Sequence, residues 1–277
     1  MRRATAWLSA VALVVGGAGC ASTTEDDAAA RKPLVLAVVA APCVGAVTSA
    51  AGPDGKPVEG MRAEDALLDL VTALSTETDV AYVLVPGPLL APRGDDPAGD
   101  LAALGGALGS LSAPAVVALA PSDVETEGGL EPLLEGLERD LPGHPGKAAY
   151  LAKRRPGFRV LALGPDGKGP EAEAVEEKDQ DEPDDDAWTI AALGAAWGSG
   201  EGTQPVPQVD LLVAVGAQPT LTTGAGGRLT LLLPPFVDPP HVWALVTIQE
   251  GQVRVSVRAL DPATKARDLP PLALTDR

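Results

Sequence analysis

The stretch Leu34-Val35-Leu36-Ala37-Val38-Val39-Ala40-Ala41-Pro42-Cys43-Val44-Gly45 decides the fold. Leu34 to Val39 is an unbroken apolar run of strand length. A run that does not alternate with polar residues suits a strand buried on both faces, as in a parallel sheet. The run then breaks into small residues, Pro42 and Gly45, so the strand ends there and a loop begins. Val80 to Val85, Ala115 to Leu119, Arg159 to Leu163 and Asp210 to Val215 repeat the type.

Segments of helical spacing lie between these runs. Leu67, Leu68, Val71 and Leu74 form one such set; Leu101, Leu104, Leu108 and Leu111 form a second; Leu130, Leu133, Leu134, Leu137 and Leu141 form a third. Each set shares one helix face. Strands alternating with helices predict an α/β domain built from βαβ units, with a sheet covered on both sides. Trp188, Ile190, Leu193 and Trp197 read as one more apolar helical face. The last third changes character. Leu229 to Leu233, Val242 to Ile248 and Val253 to Val257 are strand-like without long helices between them, and Glu250-Gly251 sits where a hairpin would turn. A parallel N-terminal part and a more antiparallel C-terminal part follow.

The first twenty residues concern the compartment. Arg2 and Arg3 precede an apolar run from Ala4 to Val15, which ends in Gly16, Gly17, Ala18, Gly19 and Cys20. About 12 apolar residues are too few for a hydrocarbon core that needs roughly 20, so a secretory leader fits better than a membrane span. The stretch resembles the lipobox of bacterial lipoproteins, with Ala18, Gly19 and Cys20 in place and Gly17 where a Leu is more usual. That resemblance implies cleavage before Cys20, acylation of Cys20 by palmitate-type chains, and attachment to an envelope membrane. Ser22, with no acid immediately after Cys20, leans toward the outer membrane. The simpler alternative is an ordinary signal peptide cut near Cys20. The expected organisation is a signal peptide at 1–19, a polar linker at 20–32, one domain at 33–260 and a tail at 261–277.

Composition narrows the partners. A formal charge of −17 argues against nucleic acid or anionic lipid as the main partner, since both require clustered Lys and Arg. Aromatics make up 3% of the chain, so the core must be Leu, Val and Ala. With Cys20 acylated, Cys43 is the only thiol left and no intramolecular disulfide can form. Residues 171–186 carry ten carboxylates against the single Lys178. They cannot bury enough surface to offset ordering and are expected to be a solvated loop, since the ligand alternation and turn glycine of a calcium loop are missing. Gly164 to Gly169 reads as a turn around Pro165, Asp166 and Gly167 rather than a phosphate loop.

The order of the strand ends resembles the calcineurin-like metallophosphoesterases over about Leu34 to Val257. In that family the first strand ends in Asp-x-His, where Ala41 and Cys43 stand here. The second ends in Gly-Asp, here Gly87-Pro88. The third leads into Gly-Asn-His-Asp, here Ala120-Pro121-Ser122-Asp123. An Asp after the next strand is replaced by Gly164, and Gly-His-x-His becomes Gly216-Ala217-Gln218-Pro219. The resemblance implies a layered β-sandwich flanked by helices, with two metal ions held at the strand ends to activate water. Against that pattern Ala41, Cys43, Pro88, Pro121, Ser122, Asp123, Ala217 and Pro219 read as degenerate metal-site positions, the Ala and Pro among them having no side-chain lone pair to donate, and no metal or other cofactor is expected.

His144 and His241 are the only histidines and match no family position. His144, between Gly143 and Pro145, reads as a surface-loop residue, and His241 precedes a strand. Cys43 has no His placed by sequence to activate it and reads as an inert thiol. Asp123, without its histidine partner, reads as a helix N-cap. The function expected is that of an envelope lipoprotein with an inactive phosphoesterase-like domain, acting in binding or scaffolding toward an envelope protein or a small molecule. The alternatives are an active metal-dependent phosphoesterase with a site outside these motifs, and a different doubly wound domain binding a sugar or nucleotide.

Overall fold

The strand Leu34–Val38 (β1) shows why the apolar run is continuous: its side chains alternate between two cores. Leu34, Leu36 and Val38 enter one core, while Ala37, and Val39 just after the strand, enter another. A period of two with both faces buried requires apolar residues throughout. The computed structural model describes residues 33–47, 50–51, 57–58, 62–77, 79–92, 96–126, 128–155, 157–170, 187–196, 209–224, 227–238, 240–249, 251–261, 265–268 and 274–276. The signal peptide, the linker, the acidic stretch 171–186 and Trp197 lie outside the described residues.

After β1 come the short pair Ala50–Ala51 (β2) and Pro57–Val58 (β3), helix Ala63–Ser75 (α1), strand Val80–Pro86 (β4), helix Pro97–Gly109 (α2), strand Ala115–Ala118 (β5), and helices Pro121–Thr126 (α3) and Leu130–Asp140 (α4). Then follow Tyr150–Arg155 (β6), Phe158–Ala162 (β7), Trp188–Ala196 (β8), Leu211–Val215 (β9), Thr220–Thr223 (β10) and Leu229–Leu233 (β11). Val242–Gln249 (β12), Gln252–Asp261 (β13), Lys265–Asp268 (β14) and Leu274–Asp276 (β15) complete the order.

Two mixed sheets result. The first has the order β14-β13-β12-β1-β4-β5, the second β15-β10-β11-β9-β8-β7-β6. Strands β1, β4 and β5 run parallel, and β12 lies antiparallel to β1 with Leu34 opposite Ile248. The C-terminal part is more antiparallel: β12, β13 and β14 form a meander, although β9 pairs with β11, and β10 with β15, in parallel. Gln249 pairs with Gln252, which leaves the two residues expected for the hairpin turn, and Gly251 takes φ +75°.

Between the sheets lie Leu36, Tyr82, Leu84 and Val116 from the first and Val160, Ile190, Leu211 and Val213 from the second. The outer face of the first sheet packs Val83, Val85, Val117 and Trp243 against Leu67 and Leu70 of α1, Leu101 and Leu104 of α2 and Leu133 and Leu137 of α4. The second and third leucine sets thus lie on the helix faces that their spacing predicts, and so do Leu67, Val71 and Leu74 of the first, whereas Leu68 is turned to solvent. The architecture is an α/β layered sandwich with helices outside.

Two expectations fail. Trp188 to Ala196 is a strand, not a helix: Ile190 and Ala192 face the sandwich while Ala191 and Leu193 face away, a period of two that leaves both faces apolar. The same residues satisfy a helical template over so short a run. Strand β8 also needs Gly194, because a Cβ there would collide with the carbonyls of Ala118 and Leu119. The second failure is His144, which is 5% exposed and stacks edge-on to Tyr150, with ring centroids 5.1 Å apart. Its flanking Gly143 and Pro145 are exposed and suggest a loop, but the ring turns inward beneath them.

Candidate functional site

The loops that leave β1, β4 and β5 are tied into one cluster. Backbone pairing continues beyond the strands: Val39 N–H donates to Leu84 O (3.0 Å), Ala41 N–H to Pro86 O (2.7 Å), Cys43 N–H to Pro88 O (3.3 Å) and Val44 N–H to Leu89 O (2.8 Å). Gly87 N–H donates to Ala118 O (2.7 Å), which joins the second loop to the third strand. Phe236 N–H donates to Ala40 O (2.6 Å), bringing in the turn before β12. Ala41 and Cys43 both take φ +47°, a left-handed conformation that costs a non-glycine residue roughly 1–3 kcal/mol and persists only where the surroundings hold it. The bonds on either side of them supply that hold.

Asp123 is the centre of the cluster. It is fully buried, and its Oδ1 accepts from Leu89 N–H (2.7 Å) and Leu90 N–H (3.2 Å) while Oδ2 accepts from Ala120 N–H (2.8 Å). A Cβ on Gly87 would stand 2.6 Å from Oδ2, so this glycine lets the second loop pass over the carboxylate. The N-cap reading of Asp123 is corrected: it lies three residues into the turn and reaches back to the amide of Ala120, the position of the acidic partner in a capping box. The spacing from Ala120 was visible in the sequence. The partners at Leu89 and Leu90, 34 and 33 residues away, were not.

The Cys43 thiol sits 3.6 Å from Pro88 O. Burial pushes its pKa up to about 12, helped by the negative charges of Asp123 and Asp238. A thiol held protonated is a poor nucleophile at neutral pH. His241 is 1% exposed, and its Nδ1 lies 2.8 Å from Phe236 O, where it donates if that nitrogen carries the proton. It braces the turn that meets Ala40 rather than facing the loops as a free imidazole. Tyr150, the first residue of β6 in the second sheet, is tied to the first sheet. Its hydroxyl accepts from Val117 N–H (2.9 Å), an edge amide of β5, and burial raises its pKa.

The other positions are further apart. Pro121 and Ser122 open α3 beside Asp123. Gly164 forms the expected turn, with Gly167 N–H donating to its carbonyl at 2.8 Å. Ala217 is exposed and Pro219 half-buried in the loop after β9, on the second sheet. None of the described hydrogen bonds joins them to the cluster of the first sheet. The structure thus brings Ala41, Cys43, Pro88 and Asp123 together and leaves Ala217 and Pro219 on the opposite sheet.

No protein-family model and no curated protein sequence matches the chain. Solved structures do. A dimetal phosphatase from Danio rerio superposes with a TM-score of 0.53 at 12% identity, over 85% of this chain and 98% of that one. The chain has a metallophosphoesterase-like fold. The protein TT1561 of Thermus thermophilus is also similar, at TM-score 0.49 and 13% identity over 80% of this chain and 97% of that one. A 5'-nucleotidase precursor from the same organism scores 0.47 at 14% identity, over 84% of this chain and 55% of that one. The fold assignment rests on the first of these, and identity at this level speaks for the fold alone.

The fold family implies two metal ions at the strand ends, and the donor set here does not fit them. Ala41, Pro88 and Pro121 offer no side-chain donor, and both oxygens of Asp123 accept backbone N–H groups. Among the described residues no three His, Cys, Asp or Glu side chains gather in a way that holds a metal ion. No helix of the described residues is long and apolar enough to cross a membrane.

Proposed function

We propose that the protein is a bacterial envelope lipoprotein, tethered through acylated Cys20, whose phosphoesterase-like domain is catalytically inactive and serves in binding or scaffolding. The observation that carries this reading is the chemistry of the strand ends. Where the fold family gathers metal ligands, this chain has the methyl of Ala41, the ring of Pro88 and a carboxylate spent on three amides. Water activation by a metal pair needs several oxygen or nitrogen donors aimed at one point. The leader fits the same reading, because a run of about 12 apolar residues ending in Ala18-Gly19-Cys20 suits export and acylation. One chain anchors weakly, so stable attachment implies multiple acylation at Cys20. The partner is an envelope protein or a small molecule, and the strand-end loops, held rigid by Asp123, are the surface offered to it.

Two measurements test this. Metal analysis and a phosphodiester assay on the purified protein should find no stoichiometric Mn, Fe or Zn and no turnover above background; bound metal with turnover would overturn the inactive reading in favour of an active phosphoesterase. Labelled palmitate should enter the wild-type protein in the producing cell and not the Cys20→Ser variant. Equal labelling, or none, removes the tether.

A further inference from the structure

The first sheet ends at β5 and the second at β6, and Tyr150 joins these two edges by accepting from Val117 N–H at 2.9 Å. The segment that delivers Tyr150 leaves α4 at Leu141 and passes through Gly143 and Gly146, which take φ +84° and +63°. It is held from within by His144 N–H on Leu141 O (3.1 Å) and by Gly146 N–H on His144 Nδ1 (3.2 Å). Pro142, Gly143 and Pro145 are exposed, whereas the His144 ring is buried against Tyr150.

This bonding fixes the state of the imidazole. Because Nδ1 accepts a hydrogen bond, the neutral ring carries its proton on Nε2, and that nitrogen is buried with no hydrogen-bond partner among the described residues. A second proton has to go to Nδ1, where it meets the Gly146 N–H donor. It also places a charge on a ring whose Nε2–H has no acceptor, and the adjoining Tyr150 ring offsets only part of that cost. Charged neighbours give no relief. Glu138 of α4 stands over Gly146 and is exposed, Arg139 and Asp140 pair with each other, Lys147 is exposed, and β5 has no ionisable side chain. Burial by itself accounts for the lowered pKa of His144.

We propose that segment 141–149 is an acid-sensitive latch: protonation of His144 turns the segment outward, draws Tyr150 off Val117 and opens the edge between the two sheets while both cores stay packed. The latch requires neither the tether at Cys20 nor an inactive site. Opening brings water to both ring nitrogens, so the open form takes a proton at the ordinary histidine pKa and the closed form refuses it. The latch is therefore closed above about pH 6.5, and the ratio of open to closed grows about tenfold for each unit of pH below that, until the closed form itself titrates at about pH 4. The outer backbone groups of β5 then lose their cover, the condition in which an edge strand can pair with another chain.

Amide exchange followed by NMR on the full chain tests this, read as protection factors so that the pH dependence of the chemical step drops out. Protection at Val117 should fall about a hundredfold between about pH 6.5 and about pH 4.5. Protection at Val39, whose N–H donates to Leu84 O between β1 and β4, should stay higher at every pH. In His144→Gln, whose carboxamide keeps an acceptor for Gly146 N–H and does not titrate, protection at Val117 should hold nearly constant over that range. Equal protection at Val117 and Val39, falling together, makes the event global unfolding and overturns the latch. The same slope in wild type and His144→Gln overturns it too. Should that variant not fold, the wild-type ring decides. Imidazole nitrogen shifts must show His144 neutral, with its proton on Nε2, from about pH 7 to about pH 5; a ring that titrates at about pH 6.5 in the folded protein overturns the proposal.

Discussion

The strand-end loops of the two sheets are built differently. Those of the first sheet are bound to one another by backbone pairing and by one buried carboxylate that takes three amides. The loop after β9 in the second sheet has Gly216 N–H on Leu233 O at 2.8 Å, and its next two residues are exposed. In the first sheet polar side-chain chemistry has become internal structure. Most of the accepting capacity of that carboxylate goes to backbone donors, so its charge serves to hold the loops together.

The contrast can be broken most strongly at Asp123. Asp123→Ala leaves three amides without their acceptor and should cost about 3–5 kcal/mol, since hydrogen bonds to a charged group contribute roughly 1.5–3 kcal/mol each and do not add fully. Urea unfolding checks this, and a loss below about 1 kcal/mol would remove Asp123 from the centre of the cluster. Ala217→Ser, in the loop of the second sheet, should stay within about 0.5 kcal/mol.

Acid acts next in size. Burial lowers the pKa of His144 from 6.5 to about 4. Between those values the unfolded chain binds a proton that the folded chain refuses, so stability falls as pH drops from about 6.5 to about 4 and this loss levels off below. The contribution is roughly 2–3 kcal/mol. In His144→Phe that part of the pH dependence should vanish, so the difference between the wild-type and variant stability curves must change between pH 7 and pH 4, to the disadvantage of the wild type. Parallel curves would refute the assignment.

Gly194→Ala probes where the second sheet meets the first. A methyl pressed on the carbonyls of Ala118 and Leu119 should cost about 1–3 kcal/mol, seen as a lower Tm. Tyr150→Phe is milder than these core changes, near 1 kcal/mol, and should speed hydrogen exchange at the Val117 amide; unchanged exchange there would show that the edge is protected by something else.

Much of this fold was legible because it is written in local pattern. The run Leu34 to Val39 and most leucines of α1, α2 and α4 state their partner surface by spacing alone; Leu68, next to Leu67 in the predicted set, is exposed instead. Strand β8 was misread because Ile190, Ala191, Ala192 and Leu193 are apolar on both faces, and neither period is then contradicted. The site was legible only in part. Ala41, Pro88 and Asp123 could be placed at successive strand ends, and the structure does bring them together. The triple acceptance by Asp123, the inward turn of His144 and the reach of Tyr150 to Val117 are contacts between distant segments, which no local period encodes.

Strand β1 lies between β4, from the following part of the chain, and β12, from near its end. The partner of Leu34 is Ile248, so one flank of the central strand stays open until almost the whole chain is available. Contacts so distant in sequence make folding slow. During synthesis, the N-terminal half can gather its helices on β1, β4 and β5 but cannot close the sheet. Completion of the sheet waits for β12.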